Sequence, residues 1–352
     1  MRNMSRSLEL LKELSEAHGA PGHEEEIKAI FLRELKGLGE VIEDKIGGCA
    51  VRLKNSSKQG RKIFLGAHFD EVGFMVQNIR PDGSLQFINL GGWWGHTVMS
   101  QRLKIRSRKN GKDFIGIVCS IPPHLLGAQK DRVLDVGDMF IDVGAKSKAE
   151  VEKMGIQLGD PIVPDSNFSH LHSDLYIGKA FDNRSGVAAT IEAAKELSKT
   201  KLNAQIYVGC TVQEEMGLRG AKTLAYSLGV DDAILLEGAP ADDTPGLNPL
   251  DSQTKVGGGV QIRLMDSSAI MSRNLVDQVL KVADKKKIST QIAVRKSGGT
   301  DAGSFLLAKE GSRCCVLATP CRYIHTHNAM MSLKDYEQTI KLSVEVVKDI
   351  SK

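Results

Sequence analysis

Two histidines and a handful of carboxylates stand out in this chain of 352 residues. His68 and Asp70 follow the apolar run "KIFLGA", and Asp182 sits in "GKAFDNRSG". Glu214 and Glu215 follow "QIYVGCTV", Glu237 follows "AILL", and His325 follows "CCVLATPCRYI". Imidazole and carboxylate without an obvious thiolate form a hard-to-borderline donor set, suited to Zn, Co or Mn. A pair of metals ~3.5–4 Å apart needs one bridging carboxylate and further ligands on each ion. The count fits, with one acid left over. Asp70, two residues beyond His68, points the same way on extended backbone and could orient the imidazole. The adjacent Glu214 and Glu215 repel one another. As a lone pair they would read as a solvated loop; beside the other four places they read as two acids with different work. His325 and His327 in "HTH" are equivalent candidates on residue type alone.

Most of these residues lie where an apolar strand pattern ends, and Asp182 lies at a helix start. Helical periodicity covers residues 5–18 and 24–38, and "KIFLGAHFDEVGFMV" follows as a buried strand that runs into a loop and a further strand. Later come helix 184–199, strand 205–212, helix 218–228, strand 232–237, helix 273–285, strand 288–294, strand 313–318 and helix 333–351. Alternating strands and helices predict a central mixed sheet with helices on both faces. In such a sheet the strand ends line one crevice where ligands bind. Between about 73 and 165 the pattern changes to short alternating runs separated by "RPDGS", "RKNGKD" and "DVGD", with one short helix near 148–153. This predicts a small β-barrel domain, residues 73–165, inserted into an α/β domain formed by 1–72 and 166–352.

Composition sets the outer bounds. Hydrophobic residues are 41% and charged residues 26%, as in globular proteins. Net charge is +4 with acids and bases mixed, and no basic block appears, which argues against nucleic acid. The N-terminus has no apolar signal region and no run is long enough to span a bilayer, so a cytoplasmic protein without a membrane partner is expected. The six cysteines are scattered without a CxxC and read as mostly buried thiols, with Cys321 the one to watch. Ser185 lacks a nucleophile elbow. "VGGGVQ" reads as a turn, and His170 and His172 in "SHLHSD" as an exposed loop.

The stretches "GAHFDEVGFMV", "LGGWWGHTVMSQRLKI", "DMFIDVGAKSKAEVEKMGIQLGDPIV", "GKAFDNRSGVAA", "TVQEEMGLRGA", "DDTPG", "GGTDAG" and "RYIHT" together resemble the M42 family of metal-dependent aminopeptidases, the self-compartmentalising TET enzymes. The likeness runs nearly end to end. It implies a phosphorylase/hydrolase-like α/β domain with an inserted barrel for dimerisation and assembly, and a tetrahedral homo-oligomer of twelve subunits. It implies two divalent ions per subunit, Zn or Co: His68, Asp182 and Glu237 on one, Asp182, Glu215 and His325 on the other, with Asp182 bridging. Glu214 would be the catalytic base and Asp70 its companion. Glu237 stands where many members have Asp, and "THNAMM" replaces the common "SPVEV" after His325. The implied reaction removes N-terminal residues from short peptides. A carboxypeptidase or deacylase could use the same metal scaffold, and it would need an Arg or Lys clamp, for which Arg184, Arg219 and Arg322 are candidates. An endoglucanase would use two carboxylates without metals, and the histidines count against it. A non-catalytic assembly protein with a degenerate site is the remaining alternative. Asp301 in "GGTDAG" reads as structural or as a support near the site.

Overall fold

The computed structural model describes residues 6–126 and 134–352. One large mixed sheet carries eleven strands among the described residues. Its centre is parallel. Strand Lys62–His68 lies between Gln205–Thr211 and Asp232–Pro240, and Asp232–Pro240 also pairs with Arg313–Arg322 in parallel. These strands are buried along almost their whole length. That explains why they read as continuous apolar runs rather than alternating ones. Helix Phe181–Leu197, rich in small residues and buried nearly all round, packs against the central strands. Helices Arg6–Glu16 and Leu333–Ile350 pack against it in turn.

The antiparallel margins are less regular. Gly39–Glu43 and Cys49–Leu53 close one side; Ala329–Ser332, Leu175–Gly178 and Ser169–His172 close the other. "SHLHSD" is therefore an edge hairpin rather than a loop. Its first strand is exposed at every position, so it carries no burial pattern to read. "VGGGVQ" does begin as a turn, but its last residues enter strand Val260–Met265, which pairs antiparallel with Arg313–Arg322.

The second body is a closed barrel of Gly73–Ile79, Leu85–Leu90, Phe140–Asp142, Asp113–Val118, Arg102–Arg106 and Pro161–Pro164. It has its own core, including Phe74, Phe87, Leu103, Ile105, Ile141 and Ile162. The short helix Lys148–Met154 is capped by Ser147 at its start and by left-handed Gly155 at its end. The barrel begins at Gly73, just past His68 and Asp70, so it leaves the large sheet at the edge of the crevice. No described helix is long and apolar enough to cross a membrane.

Candidate metal centre

Register brings the chain-distant residues together. Thr211 lies opposite His68 in the parallel ladder, so Glu214 and Glu215 emerge beside the histidine. Leu235 pairs with Gly66, which sets Glu237 level with His68 on the other side. Asp182 stands in the first turn of helix Phe181–Leu197, beneath the same strand ends. His325 follows strand Arg313–Arg322. Several non-glycine residues flanking the site have left-handed backbone: Ala180, Gln213, Tyr323 and His325 have φ of 58°, 54°, 58° and 57°. Such conformations are uncommon and cluster where chains must bend into a site.

The distances define two adjoining groups. His68 Nε2 is 3.3 Å from Asp182 Oδ1, 3.5 Å from Glu237 Oε2 and 3.9 Å from Glu214 Oε2. His325 Nε2 is 3.5 Å from Asp182 Oδ2 and 3.5 Å from Glu215 Oε1. Asp182 thus turns one oxygen to each histidine. Each imidazole has its other nitrogen on an acceptor: His68 Nδ1 is 3.1 Å from the Asp70 carbonyl, and His325 Nδ1 is 2.9 Å from the Gly92 carbonyl. A carbonyl only accepts, so Nδ1 carries a proton and Nε2 is the nitrogen turned to the cluster.

Charge in this cluster is out of balance. Burial pushes Glu214 well above its ordinary value, Glu215 up to about 8, and Glu237 up as well. Burial opposes a charge on His68, yet Glu214 and Glu237 outweigh it and hold the imidazole well above its usual range. His325 is likewise disfavoured by burial but held at about 9, chiefly by Asp182. Burial also works against the Asp182 carboxylate, and the two histidines overcome it and hold its pKa low. Glu215 Oε1 is buried without a hydrogen-bond partner. Nitrogen and oxygen donors of His68, Glu214 and Glu237, and of His68, Asp182 and Glu215, lie within 4.8 Å of one another. Carboxylates crowded in this way, one with an orphaned oxygen, fit divalent cations, which offset the repulsion.

The supports are mostly unannounced in the sequence. Asp70 is buried, and its carboxylate does more than face His68 Nδ1 at 3.4 Å. It also accepts the N–H groups of Glu214 and Glu215 at 3.0 Å each, tying the two segments together. Asn183 donates to Glu237 Oε2 at 2.8 Å and to the Leu236 carbonyl at 2.8 Å, which orients Glu237. Glu71, next to Asp70, binds Lys179 at 2.6 and 2.7 Å and Arg184 at 2.8 Å, locking the His68 segment to the Asp182 segment. Glu24 accepts from Gly22 and Gln213 just ahead of the glutamate pair. Asp301 is buried against the Thr211 hydroxyl, and burial raises it to about 7. His327 does not join the cluster. It is buried, packs edge-on against Trp93 at 5.6 Å, and burial lowers it to about 4. Ser185 donates to Phe181 within its helix, and the Cys321 thiol is buried and pushed well up by burial.

A cavity of about 750 Å³ opens on the cluster. Besides the acids and histidines it is lined by Gly238–Pro240, Asp242, Arg263, Ser267, Ser268, Arg295, 297–300 and Ile324. The walls at 263–268 and 295–300 come from segments that carry no signal of a site in the sequence. None of Arg184, Arg219 and Arg322 lines it. Arg184 is buried on Glu71 and the Leu14 carbonyl, and Arg322 pairs with Asp243. Arg263 and Arg295 do line it, but each has a carboxylate partner, Asp266 at 3.3 Å and Asp242 at 2.6 Å.

The profile of the M42 glutamyl aminopeptidase family matches residues 47–342. The chain is similar to the glutamyl aminopeptidase of Lactococcus lactis subsp. cremoris, 32% identical over 332 residues, or 93% of this chain and 92% of that protein. Among solved structures it is similar to a TET aminopeptidase from a marine sediment Thaumarchaeota archaeon, with TM-score 0.94, 38% identity, and 98% and 97% of the two chains covered. It is also similar to the Pyrococcus horikoshii TET1 peptidase, which can assemble into a tetrahedron or a large octahedral shell, with TM-score 0.88, 32% identity, and 97% and 99% covered.

Proposed function

The chain belongs to the M42 glutamyl aminopeptidase family, and from that premise we propose that it is a two-metal aminopeptidase acting on short peptides. The observation that carries the reading is the split carboxylate of Asp182, with Oδ1 toward His68 and Oδ2 toward His325. His68, Asp182 and Glu237 would hold one ion; Asp182, Glu215 and His325 would hold the other. A pair of divalent ions held there, Zn or Co, would lower the pKa of a bound water and polarise the scissile carbonyl.

This chain's own residues supply the rest. Glu214 is the acid left over from the two ligand sets. It would take the water proton and pass it to the leaving amine. Oxygen adds to the carbonyl carbon, the C–N bond breaks, and the products are a free amino acid and the shortened peptide. Asp70 fixes the backbone of both glutamates and faces His68, so it acts as a positioning residue. Because Arg263 and Arg295 already bear carboxylate partners, neither stands free to clamp a substrate's C-terminal carboxylate. That favours reading of the amino end over a carboxypeptidase. In this proposal residues 1–72 and 166–352 form the catalytic domain, 73–165 serve assembly, and twelve subunits form a tetrahedral shell.

The test is hydrolysis of a panel of aminoacyl-anilides and their N-acetylated counterparts by verified metal-free protein, before and after adding Zn or Co. We expect activity only with metal and only on free amines. Full turnover without metal, or equal cleavage of the acetylated series, would overturn the reading.

A further inference from the structure

The two histidines of the cluster are oriented by different bodies. His68 Nδ1 faces the carbonyl of Asp70, two residues on in the same segment. His325 Nδ1 faces the carbonyl of Gly92, which belongs to the loop following barrel strand Leu85–Leu90. We propose that the barrel loop Gly91–Trp93 is a positioning element for the His325 half of the centre, so that one metal site is set by the barrel and the other by the large sheet.

Contacts from three consecutive residues build the link. The Gly91 N–H donates to Met216 Sδ at 3.2 Å, which pins the loop beside the glutamate pair. A Cβ on Gly91 would meet Val72 at 2.7 Å and Glu215 Cβ at 3.3 Å, and its φ of +89° already favours glycine. A Cβ on Gly92 would come within 3.3 Å of His325 Nδ1. The loop therefore reaches both Glu215 and His325 only because it carries no side chains there. Trp93 anchors it to the barrel wall: its indole N–H donates to the Gly73 carbonyl at 3.1 Å and its ring stacks on Phe74 at 4.6 Å. Trp93 also meets His327, two residues from His325, at 5.6 Å between ring centres. A single aromatic thus contacts both the barrel and the His325 segment. Outer partners that orient a ligating histidine typically change metal affinity 10–100-fold when lost.

The inference rests on the two-metal reading, and its test separates the two. Metal affinity at both sites is measured by competition with a chromophoric chelator, using Zn, for wild type, Trp93→Ala, Gly92→Ala, His325→Ala and the Trp93→Ala/His325→Ala double variant. Wild type holding no ion, or one, would sink the two-metal reading and the inference with it, before any variant is compared. Given two wild-type sites, we expect Trp93→Ala and Gly92→Ala each to weaken one site by roughly 10–100-fold and to leave the other within about twofold. In the His325→Ala background, Trp93→Ala should change metal affinity no further. Equal weakening of both sites, no change at either, or an additive loss in the double variant would overturn the proposal. Gly92→Ala adds one methyl and removes no anchor, so it carries the test if Trp93→Ala does not fold.

Discussion

Glu214 and Glu215 are neighbours in sequence with their backbone N–H groups on one carboxylate, Asp70, yet their side chains face different partners. Glu215 points at His325 and carries a buried, unpartnered oxygen. Glu214 lies 3.9 Å from His68, the longest of the histidine's contacts in the cluster. Adjacent acids need different surroundings to hold different roles. Glu214→Gln keeps shape and loses the base. It should retain both metals and substrate while kcat falls roughly 10²–10⁴-fold. Glu215→Gln should instead lose one metal, and excess metal should restore part of its activity. The exchange of these two outcomes would exchange the roles. The choice between His325 and His327 is argued in the same way. His325→Ala should remove one ion and nearly all activity. His327→Ala leaves a hole beside Trp93, and should lower stability by about 1–3 kcal/mol, in the ordinary range for a buried substitution. Its metal stoichiometry, read by elemental analysis, should stay at the wild-type value. Loss of metal from His327→Ala alone would move the assignment by two residues.

Among the elements, three helices meet at Glu34. Its carboxylate binds Arg6 at 2.7 Å, Arg33 at 2.8 Å and Lys195 at 2.7 Å, joining helices Arg6–Glu16, Glu25–Glu34 and Phe181–Leu197. Burial pushes Glu34 up, but Lys195 and Arg33 outweigh it and hold the carboxyl at about 2. A lowered acid pKa stabilises the fold above the unfolded value, near 4.5, and that contribution fades as pH falls toward 2. Glu34→Gln should therefore cost about 1 kcal/mol at pH 7, the upper end for partly exposed pairs. Its Tm difference from wild type should shrink as pH falls below 4.5 and vanish near 2. A difference constant across that range would remove the ion pairs from the account. The same scale shows what is legible in the sequence. The central strands could be read because both faces are buried, and their ends placed His68, Glu214, Glu215 and Glu237 at one crevice. The edge strands Gly39–Glu43 and Ser169–His172 could not, since exposed edges carry no apolar pattern. Asn183, Gly92 and the Asp70 bridge were equally hidden, because a residue that orients another is defined by a contact across the fold and not by its own type.

At the scale of the whole molecule, the barrel reaches the candidate metal centre through its Gly91–Trp93 loop and also carries exposed apolar side chains. Trp94 is 65% exposed and Ile117 53%, with Ile115, Ile121 and Leu125 also exposed. Exposed apolar side chains of this size suit the subunit contacts that the proposed assembly requires. The TET1 peptidase can assemble into a tetrahedron or a large octahedral shell; under the assembly proposed above, subunits joined through the barrel would turn their crevices toward an enclosed space. Light scattering on the purified protein should then give a particle far heavier than a dimer. Asp substitutions at Ile115 and Ile117 place charges on that surface, and should yield smaller particles. Metal content should stay unchanged, since neither side chain lines the cavity. Enclosure also predicts selectivity by size: short peptides should be cleaved and a folded protein spared by the intact particle. The dissociated variant should lose some of that discrimination while keeping its turnover of anilides. A wild-type monomer with full activity, or rapid attack on a folded protein by the heavy particle, would sever assembly from access and leave the barrel with its positioning role alone.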